Sequence, residues 1–305
     1  MRQIPFLCLA NSAREGGHCI AGIDLETSQW LRPVGTTCGS LNTHEVTVAE
    51  SGIQVRPFDV VLLTVGSTVP EVGQPENAPL VSGTSPFQRL PEFMQPPSPI
   101  ELGLYLHQES SLFGLQGYLN DRIAHSQLRD HGLAGSLTLL LIDNPEFLSE
   151  PRGGWRMKFL YKSKIHSLKV TDWSFRERAR KKGRWVICVS LGSVYKEFHY
   201  GLVAMAMPID DVPKNFMFDK GPERLPDLPT PPTVYEALKG WRRLKMLETR
   251  RPAYTFFHDM TLRDLSLKRP TTRQDLLGVF GMGPIRVEKF GDEILDVIRN
   301  ASSDQ

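Results

Sequence analysis

Paired cysteines are what this 305-residue chain most plainly lacks. Its four cysteines, Cys8, Cys19, Cys38 and Cys188, form no CxxC pair, and three of them sit in apolar segments. That excludes a disulfide framework and argues for a reduced, cytoplasmic protein. Long hydrophobic runs are missing too. Leu137–Ile142 and Val203–Met207 are far too short to cross a bilayer, so no membrane partner is expected. Met1-Arg2-Gln3-Ile4-Pro5 and the brief apolar run after it do not make a signal peptide. No HExxH, Walker A or GxSxG sequence occurs, the eight histidines show no paired ligand spacing, and no tight carboxylate cluster of nuclease type is present. Nothing here argues for a metal, a cofactor or catalysis.

Overall charge is also scarce, at a formal +2. The distribution is informative. Residues 1–150 carry 7 Lys/Arg against 16 Asp/Glu, and residues 151–233 carry 16 against 8. Between Arg152 and Arg184 there are 12 basic residues and only Asp172 and Glu177 as acids. So uneven a distribution is the electrostatic footprint of a polyanion-binding region.

Residues 219–233 hold five prolines in fifteen residues. Such a stretch builds neither helix nor central strand, and reads as an extended linker. A second proline-rich stretch, Gln74–Pro99, reads as a long surface loop or a crossing between subdomains. Before it, Ile4–Ala10, His18–Leu25, Gln29–Val34 and Phe58–Val65 are strand-like; residues 104–131 favour helix. From Leu137 to Met207 the order is strand, strand, strand, helix, strand, strand, with the helix at Trp173–Lys182. That is the order of an OB-fold, the five-stranded Greek-key barrel used for oligonucleotides, though another small β barrel would read alike. The expectation is a multidomain chain: all-β tandem OB-like barrels at 1–100 and 101–218, a linker at 219–233 and an all-α helical bundle at 234–305.

The last block is helical. Val234, Leu238, Trp241, Leu244 and Leu247 recur at helix spacing, with Lys239, Arg242, Arg243 and Lys245 between them. Asp259 opens a second helix, Thr271 or Thr272 caps a third with Asp275 in its first turn, and Gly281-Met282-Gly283-Pro284 restarts a last one. The segments Tyr235-Glu-Ala-Leu-Lys-Gly-Trp-Arg, Arg251-Pro-Ala-Tyr-Thr-Phe-Phe-His-Asp-Met-Thr-Leu, Arg269-Pro-Thr-Thr and Val279-Phe-Gly-Met-Gly-Pro resemble, in order and spacing, the HRDC (helicase and RNase D C-terminal) domain over residues 233–300. The resemblance implies a five-helix accessory module that docks nucleic acid or protein, without catalysis. Cys8-Leu-Ala-Asn-Ser-Ala-Arg-Glu-Gly-Gly-His-Cys-Ile-Ala-Gly, Trp30-Leu-Arg-Pro-Val, Gln74-Pro-Glu-Asn and Ser190-Leu-Gly resemble the bacterial dual OB-containing domain, which implies two tandem barrels.

Single-stranded nucleic acid is bound by cations that track phosphate and aromatics that stack on bases. The candidate cations are Arg156, Lys158, Lys162, Lys164, Arg178, Arg180, Lys181, Lys182 and Arg184. Alternation sends Arg156 and Lys158 to one face of their strand and Trp155, Met157 and Phe159 to the other, so those aromatics are expected to pack. In the helical block the candidates are Arg242, Arg243, Lys268, Arg269, Arg273, Arg286 and Lys289, with Gly281 and Gly283 exposing a helix start. The plain alternative for each is a solvated face or a sharp turn. The leading expectation is a non-catalytic DNA- or RNA-binding protein, single strands favoured, working beside a helicase or nuclease in repair, recombination or phage defence. Two others stay open: a protein-interaction adaptor, and an enzyme on a nucleotide or modified base with Asn11, Arg14, Arg32, Glu76 and Asn77 in a pocket. Arg14-Glu15-Gly16-Gly17 reads more simply as a hairpin turn.

Overall fold

The structure, a computed structural model, describes residues 1–305 apart from 26, 28, 36–38, 82–84, 95–99, 116, 152, 180, 219–231, 250–255, 258, 280–281 and 304–305. The chain divides into two compact units, Met1–Phe218 and Asp219–Gln305.

Period-two alternation with both faces buried explains the first unit. Its first sheet contains β1 (Arg2–Arg14), β2 (Gly17–Asp24), β3 (Gln29–Val34), β4 (Val60–Val65), β5 (Asn77–Pro79) and β6 (Phe87–Arg89), ordered β5-β3-β2-β1-β4-β6. β1 pairs antiparallel with β2 and β4, β3 pairs parallel with β5, and a Val65–Leu80 bridge returns to β4. That ring is the OB strand order. β1 and β2 turn at Glu15 and Gly16, both at positive φ, the two-residue hairpin that Glu-Gly-Gly suggested.

Next come β7 (Ile100–Glu101), β8 (Arg122–Ala124) and α1 (His125–His131). The second barrel comprises β9 (Leu137–Asp143), β10 (Glu146–Ser149), β11 (Trp155–Tyr161), β12 (Lys164–Val170), the one-turn α2 (Phe175–Arg178), β13 (Arg184–Tyr195) and β14 (Phe198–Pro208). The order is β10-β11-β12-β14-β13-β9, with β12 parallel to β14. Only Asn144, at φ 44°, and Pro145 separate β9 from β10. The two are one bent first strand whose halves pair with β13 and β11, which closes the same OB ring. β15 (Phe216–Met217) pairs with β7.

Three apolar clusters follow. Ile4, Phe6, Cys8, Leu63 and Phe87 fill the first barrel. Met157, Phe159, Leu168, Trp185 and Ile187 fill the second. Between them lies a third, made by the opposite faces of the same strands: Leu7 and Leu9 of β1, Leu139 of β9, Val186 and Cys188 of β13. Strands buried on both sides read as unbroken apolar runs, which is why Leu137–Ile142 showed no alternation.

Three local expectations need correction. Gln74–Pro99 is not a surface loop over its described part: it supplies β5 and β6, and Gln74, Glu76, Asn77, Leu80 and Phe87 are buried. Hydrogen bonding to β3 and β4 outweighs its proline content, because the ladder needs few N–H groups from so short an edge. The Trp173–Lys182 helix shrinks to the one turn of α2, with Asp172 accepting from the Ser174 amide at its start and from the Ala206 amide of β14. The described part of residues 104–131 yields the seven-residue α1, single 3-10 turns and the short strand β8.

In the second unit the described residues form α3 (Pro232–Thr249), α4 (Asp259–Lys268), α5 (Arg273–Leu276) and α6 (Pro284–Ser303), four helices where the resemblance implied five. Val234, Leu238, Trp241, Phe257, Leu262, Leu265 and Ile294 form the core. Thr272 caps α5 in a capping box with Asp275. Leu244, read as a core position of α3, is instead exposed. The linker residues 219–231 lie outside the described residues. No described helix is long and apolar enough to cross a membrane.

Candidate nucleic-acid interface

The β11–β12 hairpin presents one face to solvent. Met157, Phe159, Tyr161, His166, Leu168 and Val170 point into the barrel and are buried, so the aromatics of β11 pack, as alternation predicts. On the outer face the register pairs Arg156 with Lys169, Lys158 with Ser167 and Leu160 with Ile165. Lys162, at φ 53°, and Ser163 turn the hairpin, and Lys164 follows.

The cations of this hairpin are in different states. Arg156 donates Nε to Glu150 at 3.0 Å and lies 3.7 Å from Asp121. Lys158 is 3.1 Å from Glu146. Lys162 reaches over the Tyr161 ring, and Lys164 and Lys169 have no ion-pair partner among the described residues. Around the barrel, Lys181 meets Asp211 at 2.5 Å, Arg184 meets Asp143 at 2.9 Å, and Lys182 is exposed and unpaired among the described residues. Exposed pairs of this kind are worth about 0–1 kcal/mol, so these cations can exchange a carboxylate for a phosphate at little cost.

Arg178 is different. Its side chain is 16% exposed and that of its partner Asp172 only 2%. Its guanidinium donates to Asp172, the Ser174 hydroxyl and the Ala206 carbonyl, while Asp172 also accepts from the Ala206 and Ser174 amides. Breaking a buried pair costs about 3–5 kcal/mol, so Arg178 holds α2 against β14. Arg180 lies outside the described residues.

A neighbouring surface carries no predicted residue. The β13–β14 hairpin ends in Tyr195-Lys196-Glu197-Phe198, and Tyr200 follows on the face of Phe198. The Arg122 guanidinium lies 5.2 Å from the Phe198 ring and 5.5 Å from that of Tyr200, whose hydroxyl accepts from Nη1 at 3.2 Å. Asp121 lies 3.7 Å from both Arg122 and Arg156, which joins this cluster to the β11–β12 face. The only signal in the sequence was the spacing of three aromatics and a lysine in six residues.

Arg32, Glu76 and Asn77, the core of the suggested enzyme pocket, are buried between the barrels. Arg32 donates to Ser190 at 3.1 Å and to Ser136 at 2.7 Å; the Ser136 hydroxyl donates to Glu76 at 2.8 Å, and its amide also donates to Glu76. Gln74 donates to the Leu191 carbonyl at 3.2 Å. Asn11 is bonded to Val55 and His18, and Arg14 reaches Ser193. Arg14, Arg32 and Glu76 tie the two barrels together, while Asn11 and Asn77 are bonded within the first; a charged group with no water around it needs such partners. The thiol of Cys188, beside them, is pushed up to about 12, first by burial, and is kept protonated.

In the helical unit, Lys268 bonds Asp264 and the Gly278 carbonyl, Arg273 grips Asp292 with two nitrogens, and Arg242 donates to the Phe257 carbonyl at 2.8 Å. Arg286 is buried over the Phe257 ring. Lys289 is exposed above Phe290, and Arg243 is exposed on α3. Arg269 closes α4 at φ 45°, the left-handed position that usually takes glycine. Gly283 faces open space ahead of α6, and Gly281 lies outside the described residues.

The sequence model of the dual OB-containing domain matches residues 4–206, and that of the HRDC domain matches residues 232–298. The ATP-dependent DNA helicase Q-like 4B of Arabidopsis thaliana is 36% identical over 52 residues, 17% of this chain and 4% of the helicase, so the chain spans a small part of that relative's length. HRDC domain 3 of D. radiodurans RecQ is 38% identical and covers 22% of this chain and 90% of that domain, with a TM-score of 0.22.

Proposed function

This chain belongs to the dual OB-containing domain family and carries an HRDC domain, and from that premise we propose a nucleic-acid-binding protein that works beside a helicase. Single strands are the preferred ligand. The observation that carries this reading is the outer face of β11–β12, the pair of strands with which OB barrels hold oligonucleotides. Lys169 there, and Lys162 and Lys164 at the hairpin turn, have no carboxylate partner among the described residues, and Arg156 and Lys158 sit in exchangeable pairs. The HRDC domain adds a second contact through Arg243, Lys289 and the open start of α6, and tethering raises its effective concentration at the same strand. The protein would serve repair, recombination or defence, with a helicase or nuclease on another chain.

Fluorescence anisotropy with labelled single-stranded DNA, duplex DNA and single-stranded RNA over a salt series tests this. Micromolar or tighter binding that weakens with salt is expected. Each phosphate contact on a single strand contributes about 0.7 to the slope of log K against log salt, so the K162E/K164E/K169E variant should lower that slope by about two units. Salt-independent binding, or none, overturns the reading. A second reading, a protein-docking adaptor, is favoured by one observation: Leu148, Leu160 and Ile165 lie exposed on the same face. Partner capture lost in L160S/I165S with nucleic-acid affinity absent throughout would establish it.

A further inference from the structure

The cations of the β11–β12 hairpin bracket an apolar pair for which phosphate has no use. Leu160 and Ile165 face each other across the two strands, and each is more than half exposed, at 60% and 57%. Alternation sets them on the outer face, followed by Lys158 with Ser167 and then by Arg156 with Lys169. At the other end the turn carries Lys162 and Lys164. Lys162, Lys164 and Lys169 have no carboxylate partner among the described residues. Branched aliphatic side chains gain by leaving water, and a hydrated phosphate chain offers them little apolar surface to leave it against.

The backbone beside this pair is open as well. The Ser167 amide points away from β11 and donates to the Asn120 side chain at 3.0 Å, and Lys169 is paired with β14. In an antiparallel pair every second residue turns its amide and carbonyl away from its partner strand, so those of Ile165 point to the same edge as those of Ser167 and Lys169. β14 pairs only from Lys169 on, and Asn120 serves Ser167. No described residue bonds the Ile165 amide or carbonyl on that side. Such an edge is a template for an added strand.

We propose that this end of the hairpin docks a protein segment: an extended acidic peptide whose bulky apolar side chain covers Leu160 and Ile165. Its carboxylates meet Lys162 and Lys164 at the turn and Lys169 on the face, and its backbone adds to the β12 edge at Ile165. Charge decides the occupant. A neutral or basic apolar segment answers the aliphatic pair and leaves the lysines unmet; a nucleic acid does the reverse. An acidic segment with an apolar residue answers both. This rests on the protein-docking reading of the same face. Because the segment uses the lysines assigned to phosphate, peptide and single strand exclude each other there, and a partner that carries such a segment lifts the strand off the hairpin.

Fluorescence anisotropy of the full chain tests this with three labelled probes: a peptide of aspartates around a central phenylalanine, the same peptide with serine at its centre, and oligothymidylate. Wild type should bind the phenylalanine peptide about tenfold tighter than the serine peptide, and unlabelled oligothymidylate should displace it. L160S/I165S should bind the two peptides alike and keep the wild-type affinity and salt slope on oligothymidylate. K162E/K164E/K169E should lose peptide and strand together. Far-ultraviolet circular dichroism confirms the fold of each variant. If wild type does not distinguish the peptides, or binds neither, the docking site is overturned, and the nucleic-acid reading stands or falls by its own salt series. If L160S/I165S weakens oligothymidylate as much as peptide, the aliphatic pair belongs to the nucleic-acid site and docking is again overturned. Selective peptide binding without affinity for oligothymidylate keeps the docking site and removes the nucleic-acid reading. Peptide that bound oligothymidylate fails to displace overturns the shared site.

Discussion

Arg32 shows what a single side chain decides here. It is fully buried between the barrels, and its charge is met by two serine hydroxyls, one of which hands the contact on to Glu76. An arginine in water pays little for its charge; one removed from water needs partners for it. Removing it leaves the Glu76 carboxylate buried without its counter-charge. Arg32→Ala should therefore lower stability of the first unit by about 3–5 kcal/mol, read as a fall in urea midpoint. R32A with an unchanged midpoint would show that the network is not what joins the barrels. Gly73 belongs to the same contact. It sits at φ 83°, and a Cβ there would lie 2.6 Å from the His199 ring, so only glycine lets the loop before Gln74 close on the second barrel.

At the scale of the element, the β13–β14 hairpin is the place where pH should act. His199 is buried; its Nδ1 bonds the Gly192 carbonyl and its Nε2 lies 2.9 Å from His125 Nδ1. In the neutral ring, Nδ1–H donating to the carbonyl leaves Nε2 as the acceptor. Burial holds its pKa below the usual 6.5, and His18, His107 and His166 shift the same way, each first through burial. The unfolded chain therefore takes up protons before the folded one does. Stability should be complete above about pH 6.5 and fall as pH drops through that value toward the lower folded-state pKa values. Denaturation midpoints at pH 7.5 and 5.5 check the sign, and H199Q should show a smaller difference between them than wild type. The strand positions themselves were legible in the sequence. Gln29–Val34 is reproduced to the residue and β1 is longer than Ile4–Ala10 at both ends. The β5 and β6 strands were not, because each has three residues and is defined by its neighbours in the sheet more than by its own pattern.

At the scale of the whole molecule, two compact units are joined by a proline-rich stretch. Each has its own core, so each should fold alone. A chain ending at Phe218 should unfold cooperatively and keep most of the salt-dependent affinity for single-stranded DNA, since the lysines of β12 and its turn lie within it. Loss of most affinity in that truncated protein would transfer the main site to the helical unit.

By itself the sequence determined the succession of strands and helices, the proline-rich division between the units, the uneven charge, and the resemblance to dual OB and HRDC domains. These are local properties: alternation, capping, proline content and the order of short motifs are written along the chain. The tertiary structure alone decided which cations are paired. Arg178 and Lys182 look alike in sequence, yet one is neutralised by Asp172 and the other faces water. It also decided that Arg32 and Glu76 join barrels instead of lining a pocket, and that Arg122 lies against Phe198 and Tyr200. Period-two alternation tells which residues share a face. It does not tell which face another barrel covers, or which distant carboxylate or ring arrives beside a given cation; only closing both barrels and packing them together settles that.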